Sequence, residues 1–326
     1  MMELSVTKDM RDVRIDVVKG LCICLMVFGH LTHIGSCSSQ LLEVVKTIYS
    51  FHMPVFIILT GYLFGKRQGT IDEGKRVFSR MLKPYLVMAP IAIFLYQLAA
   101  RFGIQTTNQV DGAGLLPYIG VLTGHVGGAL WYLYTFGIVE LLTLGALWWR
   151  PGKNSEEQGG ASTRVVVLVG LGCCILAKLG FGISPHKSFY FFIGFFLRRA
   201  QLSLPCSVWF LGSVALIFSV VGVSESFTLG NCVWVISVLG SLMWLAKGLL
   251  SVRCLSKVLI YCGEHTLSIL LFHNLISVAL RPLASKMLVV DPSGIGISLL
   301  MTGVIVVLSL CAEGIIKKTW FRKLLF

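Results

Sequence analysis

The chain has 326 residues, of which 56% are hydrophobic and 13% charged, and its formal net charge is +13. A mean hydropathy of +0.82 excludes a soluble globular domain and places the chain among polytopic membrane proteins. The basic residues lie scattered between apolar runs rather than on one basic domain, so the charge reads as membrane topology and not as nucleic-acid binding.

Residues 1–13 read as a polar, mixed cytoplasmic tail without the features of a cleavable signal peptide. Crossing a bilayer takes about 20 mostly apolar residues. On that measure ten spans are expected, at 15–34, 48–65, 84–100, 128–149, 165–183, 188–203, 205–223, 232–249, 258–279 and 295–315. The expected fold is therefore an all-α polytopic membrane protein with about ten transmembrane helices. A transmembrane domain would occupy 14–315, and 316–326 would form a basic cytoplasmic tail. With both termini cytoplasmic, 22 of the 28 lysines and arginines fall on the inside, leaving Lys46, Arg101, Lys178, Lys187, Arg281 and Lys286 outside. Segment 101–127 is the longest outside connection and is apolar enough to fold back into the membrane. Segment 150–164 reads as a flexible cytoplasmic loop.

The first span is the most unusual. It carries Asp16, Lys19 and His30, and ionisable groups inside a bilayer mark a working site by default. Lys19 and His30 are eleven residues apart, close to three helical turns, so they share a face roughly 16 Å apart along the axis. Asp16 precedes Lys19 by three residues and joins that face. His30 is placed about one turn before the first helix ends and His52 about one turn into the second, at similar depth. Pro54 falls in that helix's first turns, where a missing N–H is cheap. Neutral imidazole suits proton abstraction from a hydroxyl. His273, taken alone, reads as a helix–helix hydrogen-bonding residue. Glu140 is buried on this reading without an obvious partner. Trp131 and Tyr132 open the fourth span, where an interfacial aromatic belt is the commoner role. The cysteines show no metal-ligand spacing, and no metal site or bound cofactor is expected.

The connection after the second span is the most basic stretch: Lys66, Arg67, Lys75, Arg76, Arg80 and Lys83. Arg76, Arg80 and Lys83 recur at spacings of four and three, which puts them on one helix face suited to a polyphosphate. Anionic lipid headgroups are the plainer ligand for such a face.

The runs Asp16-Val-Val-Lys19-Gly20 and Phe28-Gly29-His30, then Ser50-Phe51-His52-Met53-Pro54 and Thr60-Gly61-Tyr62, resemble the membrane acyltransferase 3 family. Arg80-Met81-Leu82-Lys83-Pro84-Tyr85, Leu130-Trp131-Tyr132 and Gly263-Glu264-His265-Thr266 continue the match, closest to the fucose 4-O-acetylase-like branch. The resemblance implies a ten-helix enzyme of a bacterial-type plasma membrane. It would move an acyl group, usually acetyl, from cytoplasmic acyl-CoA to a hydroxyl of a cell-surface or lipid-linked glycan. Membrane lipid and glycan-assembly machinery are the other partners implied, and nucleic acid is not. The family's intramembrane histidine falls on His30, and the basic residue eleven positions earlier, commonly Arg, is Lys19 here. His30, Lys19 and Asp16 are thus the catalytic candidates. Arg76, Arg80 and Lys83 are the acyl-CoA candidates, and His52, Trp131 and Tyr132 the acceptor-binding ones. The alternative reading is a transporter or channel whose polar lining surrounds His30 and His52.

Overall fold

The computed structural model describes residues 11–102, 116–125, 128–149, 158–220 and 228–326. The expectations for residues 1–10, for 103–115 and 126–127 of the long connection, and for 150–157 of the polar loop lie outside these. Among the described residues every regular element is helical.

Helix α1 (Val13–Gly29) starts where the Asp12 carboxylate accepts the Arg14 N–H, an N-cap that satisfies one orphan donor. It ends one residue before His30, which caps it, rather than a turn beyond it. Helix α2 (Ser38–Phe64) begins ten residues earlier than its expected span, so the connection to α1 is short. His52 and Pro54 consequently sit deep inside α2, not in its first turns. Pro54 has no N–H for the carbonyl one turn earlier, so it opens the backbone ladder in mid-helix.

A Thr70–Glu73 capping box opens α3 (Ile71–Val77), which runs through a π-type turn (Phe78–Leu82) into α4 (Lys83–Arg101). The next helices are α5 (Leu116–Thr123), α6 (Trp131–Trp148), α7 (Gln158–Lys178), α8 (Pro185–Arg199) and α9 (Trp209–Val220). The described part of the long connection, α5, is tied down by Tyr85 donating to the Val121 carbonyl and Tyr134 to that of Leu122. The rest of the chain forms α10 (Leu229–Leu249), α11 (Arg253–Glu264), α12 (Thr266–Met287), α13 (Ile295–Ile316) and the short α14 (Arg322–Leu325).

Six helices among the described residues are long and apolar enough to cross a membrane: α2, the continuous rod 71–101, α6, α10, α12 and α13. The expected single span 258–279 is two helices, broken at His265, where the backbone leaves the helical region (φ −104°, ψ 25°). Helix α11 has only 12 residues, about 18 Å of rise against a hydrocarbon core of about 30 Å.

Two helix pairs meet through glycine. Gly20 of α1 lies against the Leu259 carbonyl of α11, and Gly263 of α11 lies against the Asp16 carbonyl of α1. Likewise Gly61 of α2 faces the Phe191 carbonyl of α8, and Gly194 of α8 faces that of Ile58. Without a hydrophobic drive between helices in lipid, such small-residue contacts let backbones approach and supply the packing energy. The turn after α1 is pinned to the turn before α13: Ser36 N–H donates to Pro292 O at 2.9 Å and Cys37 N–H to Ser293 O at 3.1 Å. Around these contacts α1, α2, α6 and α12 enclose the polar interior.

Candidate active site

Two cavities share the walls α1, α2 and α6. The first, about 220 Å³, is lined by His30, Tyr49, His52 and Trp131, with Lys187 and Asn231 opposite. His30 is half-buried at the C-cap of α1, and its ring lies between Tyr49 and His273, with centroids 5.9 and 5.2 Å away. The Tyr49 hydroxyl donates to the Gly29 carbonyl at 2.7 Å and stands 3.5 Å from His30 Nδ1. Its remaining lone pair therefore faces Nδ1, which favours the tautomer with hydrogen on Nδ1 and a free lone pair on Nε2.

His52 is buried and its Nδ1 lies 2.7 Å from the Ile48 carbonyl. A carbonyl only accepts, so His52 Nδ1 carries the hydrogen and Nε2 is left as an acceptor. The His52 ring lies 5.3 Å from that of Tyr49, so Tyr49 neighbours both histidines. Lys187 places its ammonium 3.7 Å from the Trp131 ring centroid, a cation–π contact at the cavity wall.

The second cavity, about 320 Å³, lies further toward the N-terminal end of α1 and the C-terminal end of α2, and is lined by Lys19, Arg67, Arg80, Tyr132, His265 and Glu313. Arg80 reaches Glu140 of α6 at 3.7 Å, which supplies the partner that carboxylate lacks in the sequence. His265 Nδ1 lies 2.8 Å from Glu313, whose other oxygen takes the Lys317 ammonium at 2.6 Å. The Tyr132 and Thr60 hydroxyls are 2.7 Å apart in this cavity's wall.

A family model for an acyltransferase domain, acyltransferase 3, matches residues 12–314. The chain belongs to the acyltransferase 3 family. It is also similar to two curated relatives, each called Nodulation protein NolL. That of Sinorhizobium fredii is 33% identical over 144 residues, and that of Mesorhizobium japonicum 40% identical over 145. Each match covers 41% of this chain and 36% of the relative, so the chain spans about a third of the length of the relatives it matches. No solved structure is similar to it.

In this acyltransferase 3 protein the expected site residues divide between the cavities. His30, His52 and Trp131 line one; Lys19, Arg80 and Tyr132 line the other. Tyr132 therefore parts company with Trp131, because successive residues of a helix point about 100° apart. Asp16 lines neither cavity. It is bound by Arg11, whose Nε lies 2.7 Å away and whose guanidinium also reaches Glu264 at 2.9 Å.

Arg76, Arg80 and Lys83 do not share a face. The π-type turn, closed by the Lys83 N–H on the Phe78 carbonyl, adds a residue to one turn and rotates α4 relative to α3. Arg76 is exposed, and Lys83 donates to the Lys323 carbonyl of α14. Sequence reasoning gave no site role to His273, Arg67, His265 or Glu313. His265 stands at a helix break and Glu313 on the same helical face as Lys317, a spacing that reads as an ordinary surface pair.

Proposed function

We propose that this protein is a membrane O-acyltransferase that moves an acyl group, acetyl in the first instance, from cytoplasmic acyl-CoA to a glycan hydroxyl. The observation that carries the reading is the pairing of two cavities along α1, one ending in Lys19, Arg67 and Arg80, the other in His30 and Tyr49. The basic residues concentrated toward the Lys19 cavity support that side as the cytoplasmic one of a bacterial-type plasma membrane, with both termini inside. Lys19, Arg67 and Arg80 suit the phosphates of the nucleotide, since guanidinium groups bind phosphate oxygens in bidentate fashion. The pantetheine arm then extends past Thr60 and Tyr132 toward His30.

In the His30 cavity, Nε2 takes the proton of the acceptor hydroxyl as its oxygen bonds to the acyl carbon. The carbon–sulfur bond then breaks, and the proton passes from His30 to the departing thiolate. Tyr49 holds the ring by Nδ1, and Trp131 offers a flat apolar face of the kind sugar rings stack against. Lys19, where the family commonly has Arg, binds as a point charge without the planar fork.

His30→Ala is expected to abolish label transfer from [14C]acetyl-CoA to glycan in native membranes while membrane insertion and yield stay normal. Mass spectrometry of the surface glycan provides the second readout, and unchanged O-acetylation there would remove His30 from the chemistry. Solute uptake without thioester consumption would establish the transporter reading instead.

A further inference from the structure

His273 is placed by α12, a helix whose first turns line the Lys19 cavity and whose later part reaches the His30 ring. His265 at its N-terminal boundary lines the Lys19 cavity, and His273 lies two turns further on, about 12 Å along the axis, against His30. It is fully buried, at 0% exposure. Its Nδ1 sits 2.9 Å from the Ile269 carbonyl and 3.1 Å from that of Leu270, so Nδ1 carries the hydrogen and donates it to the helix backbone. Nε2 is consequently locked as an acceptor, and among the described residues it has no hydrogen-bond partner. A buried acceptor left unsatisfied is unfavourable and calls for an explanation. The neighbouring aromatic ring, with centroids 5.2 Å apart and planes tilted by 46°, is that of His30.

We infer that His273 is a positioning residue for His30, its fixed Nε2 lone pair stabilising the imidazolium that forms when His30 takes the acceptor's proton. The inference rests on the acyl-transfer reading. In the resting state both rings are neutral and their meeting gains little. Once His30 holds the proton, a fixed and otherwise unsatisfied lone pair on the neighbouring ring, with centroids 5.2 Å apart, lowers the energy of the charged state with no reorganisation. The proton returns from His30 to the thiolate, so His273 ends the cycle as it began and no proton is gained or lost. Tyr49 is the second aromatic neighbour of His30, and both neighbours are fixed by hydrogen bonds to helix backbone carbonyls.

Tyr49 and His52 from α2 lie beside this pair, and His186 and Lys187 of α8 line the same cavity as His30. No carboxylate is among the residues lining the His30 cavity. The imidazolium therefore has no anion at hand to offset it, which is the situation in which a neutral lone pair matters most.

The test compares His273→Gln, His273→Phe and His273→Met with wild type, each replacing the protein in its native membranes. The rate of [14C]acetyl transfer from acetyl-CoA to endogenous membrane glycan is measured per mole of protein. Gln keeps an acceptor oxygen near the Nε2 position; Phe keeps the ring, and Met the bulk, without a lone pair. The expected result is a fall in kcat of about 10- to 100-fold for Phe and Met, with KM for acetyl-CoA within about twofold of wild type and most of kcat restored in Gln. Met is read if Phe fails to accumulate. Equal kcat in all three variants, or an equal fall in Gln and in the apolar variants, would overturn the inference and leave His273 a packing residue. Absence of transfer in wild type would instead overturn the acyl-transfer reading, and the inference with it.

Discussion

At the scale of single residues, three ionisable groups on one apolar helix have three different environments. Asp16 is neutralised by Arg11, Lys19 opens to the cavity that also holds Arg67 and Arg80, and His30 closes the helix beside Tyr49. Their separate surroundings give separate predictions. Lys19→Arg is expected to keep donor affinity, because the charge is retained; Lys19→Met should raise KM for acetyl-CoA about tenfold, the equivalent of one charged hydrogen bond. Arg80 combines two duties, since its exposed end faces the cavity while it pairs with fully buried Glu140. Arg80→Met strands that carboxylate and should lower stability by about 1–3 kcal/mol, visible as a drop in melting temperature in detergent. Adding Glu140→Leu should restore the melting temperature but not acyl-CoA binding by calorimetry. Recovery of both together would mean that Arg80 serves the fold rather than the donor. Arg76→Ala, by contrast, should leave affinity within about twofold, because Arg76 does not line the cavity.

At the scale of elements, what brings these residues into register is close backbone approach and local departures from the α-helix. The reciprocal glycine contacts of α1 with α11 and of α2 with α8 leave no room for a Cβ beside the facing carbonyl. Gly61→Leu and Gly194→Leu must therefore push α8 off α2, and the His52 and Arg198 ends of that pair with it. An overpacking cost of about 1–3 kcal/mol is expected, read as loss of folded yield and of melting temperature. Gly145 meets nothing within 4 Å, so Gly145→Leu is the control that should be tolerated. The π-type turn before α4 and the break at His265 act in the same sense. Each places a polar side chain in the wall of the Lys19 cavity, Arg80 with Met81 beside it in one case and His265 between Glu264 and Thr266 in the other.

At the scale of the whole molecule, the proposed acyl transfer assigns a donor side to the Lys19 cavity and an acceptor side to the His30 cavity. The native cysteines offer a test. Cys37 precedes α2 in the connection that follows His30, and Cys254 is exposed at the start of α11, in the segment expected to be cytoplasmic. With the other cysteines replaced, a membrane-impermeant maleimide should label Cys37 in intact cells and Cys254 only after permeabilisation. The reverse pattern would invert the donor and acceptor assignments. The six helices that meet the length and hydropathy needed to cross a membrane fall at the second, third, fourth, eighth, ninth and tenth of the ten expected spans. The difference lies in helices such as α1, with 17 residues, and α8, with 15, whose apolar runs are real but shorter than a full crossing.

The sequence by itself determined the class of molecule, the approximate position of most helices and the residues of α1 that lipid would not tolerate. These are properties of local composition and period, and they survive any packing arrangement. The resemblance to the acyltransferase 3 family was legible for the same reason, being carried by short runs in order. Only the tertiary structure decided that His273 meets His30, that Glu140 belongs to Arg80, that Asp16 belongs to Arg11, and that Trp131 and Tyr132 serve different cavities. Each of these depends on which faces of distant helices meet. In a membrane that choice rests on glycine contacts, one extra residue in a turn and a single helix break, none of which alters the hydropathy pattern.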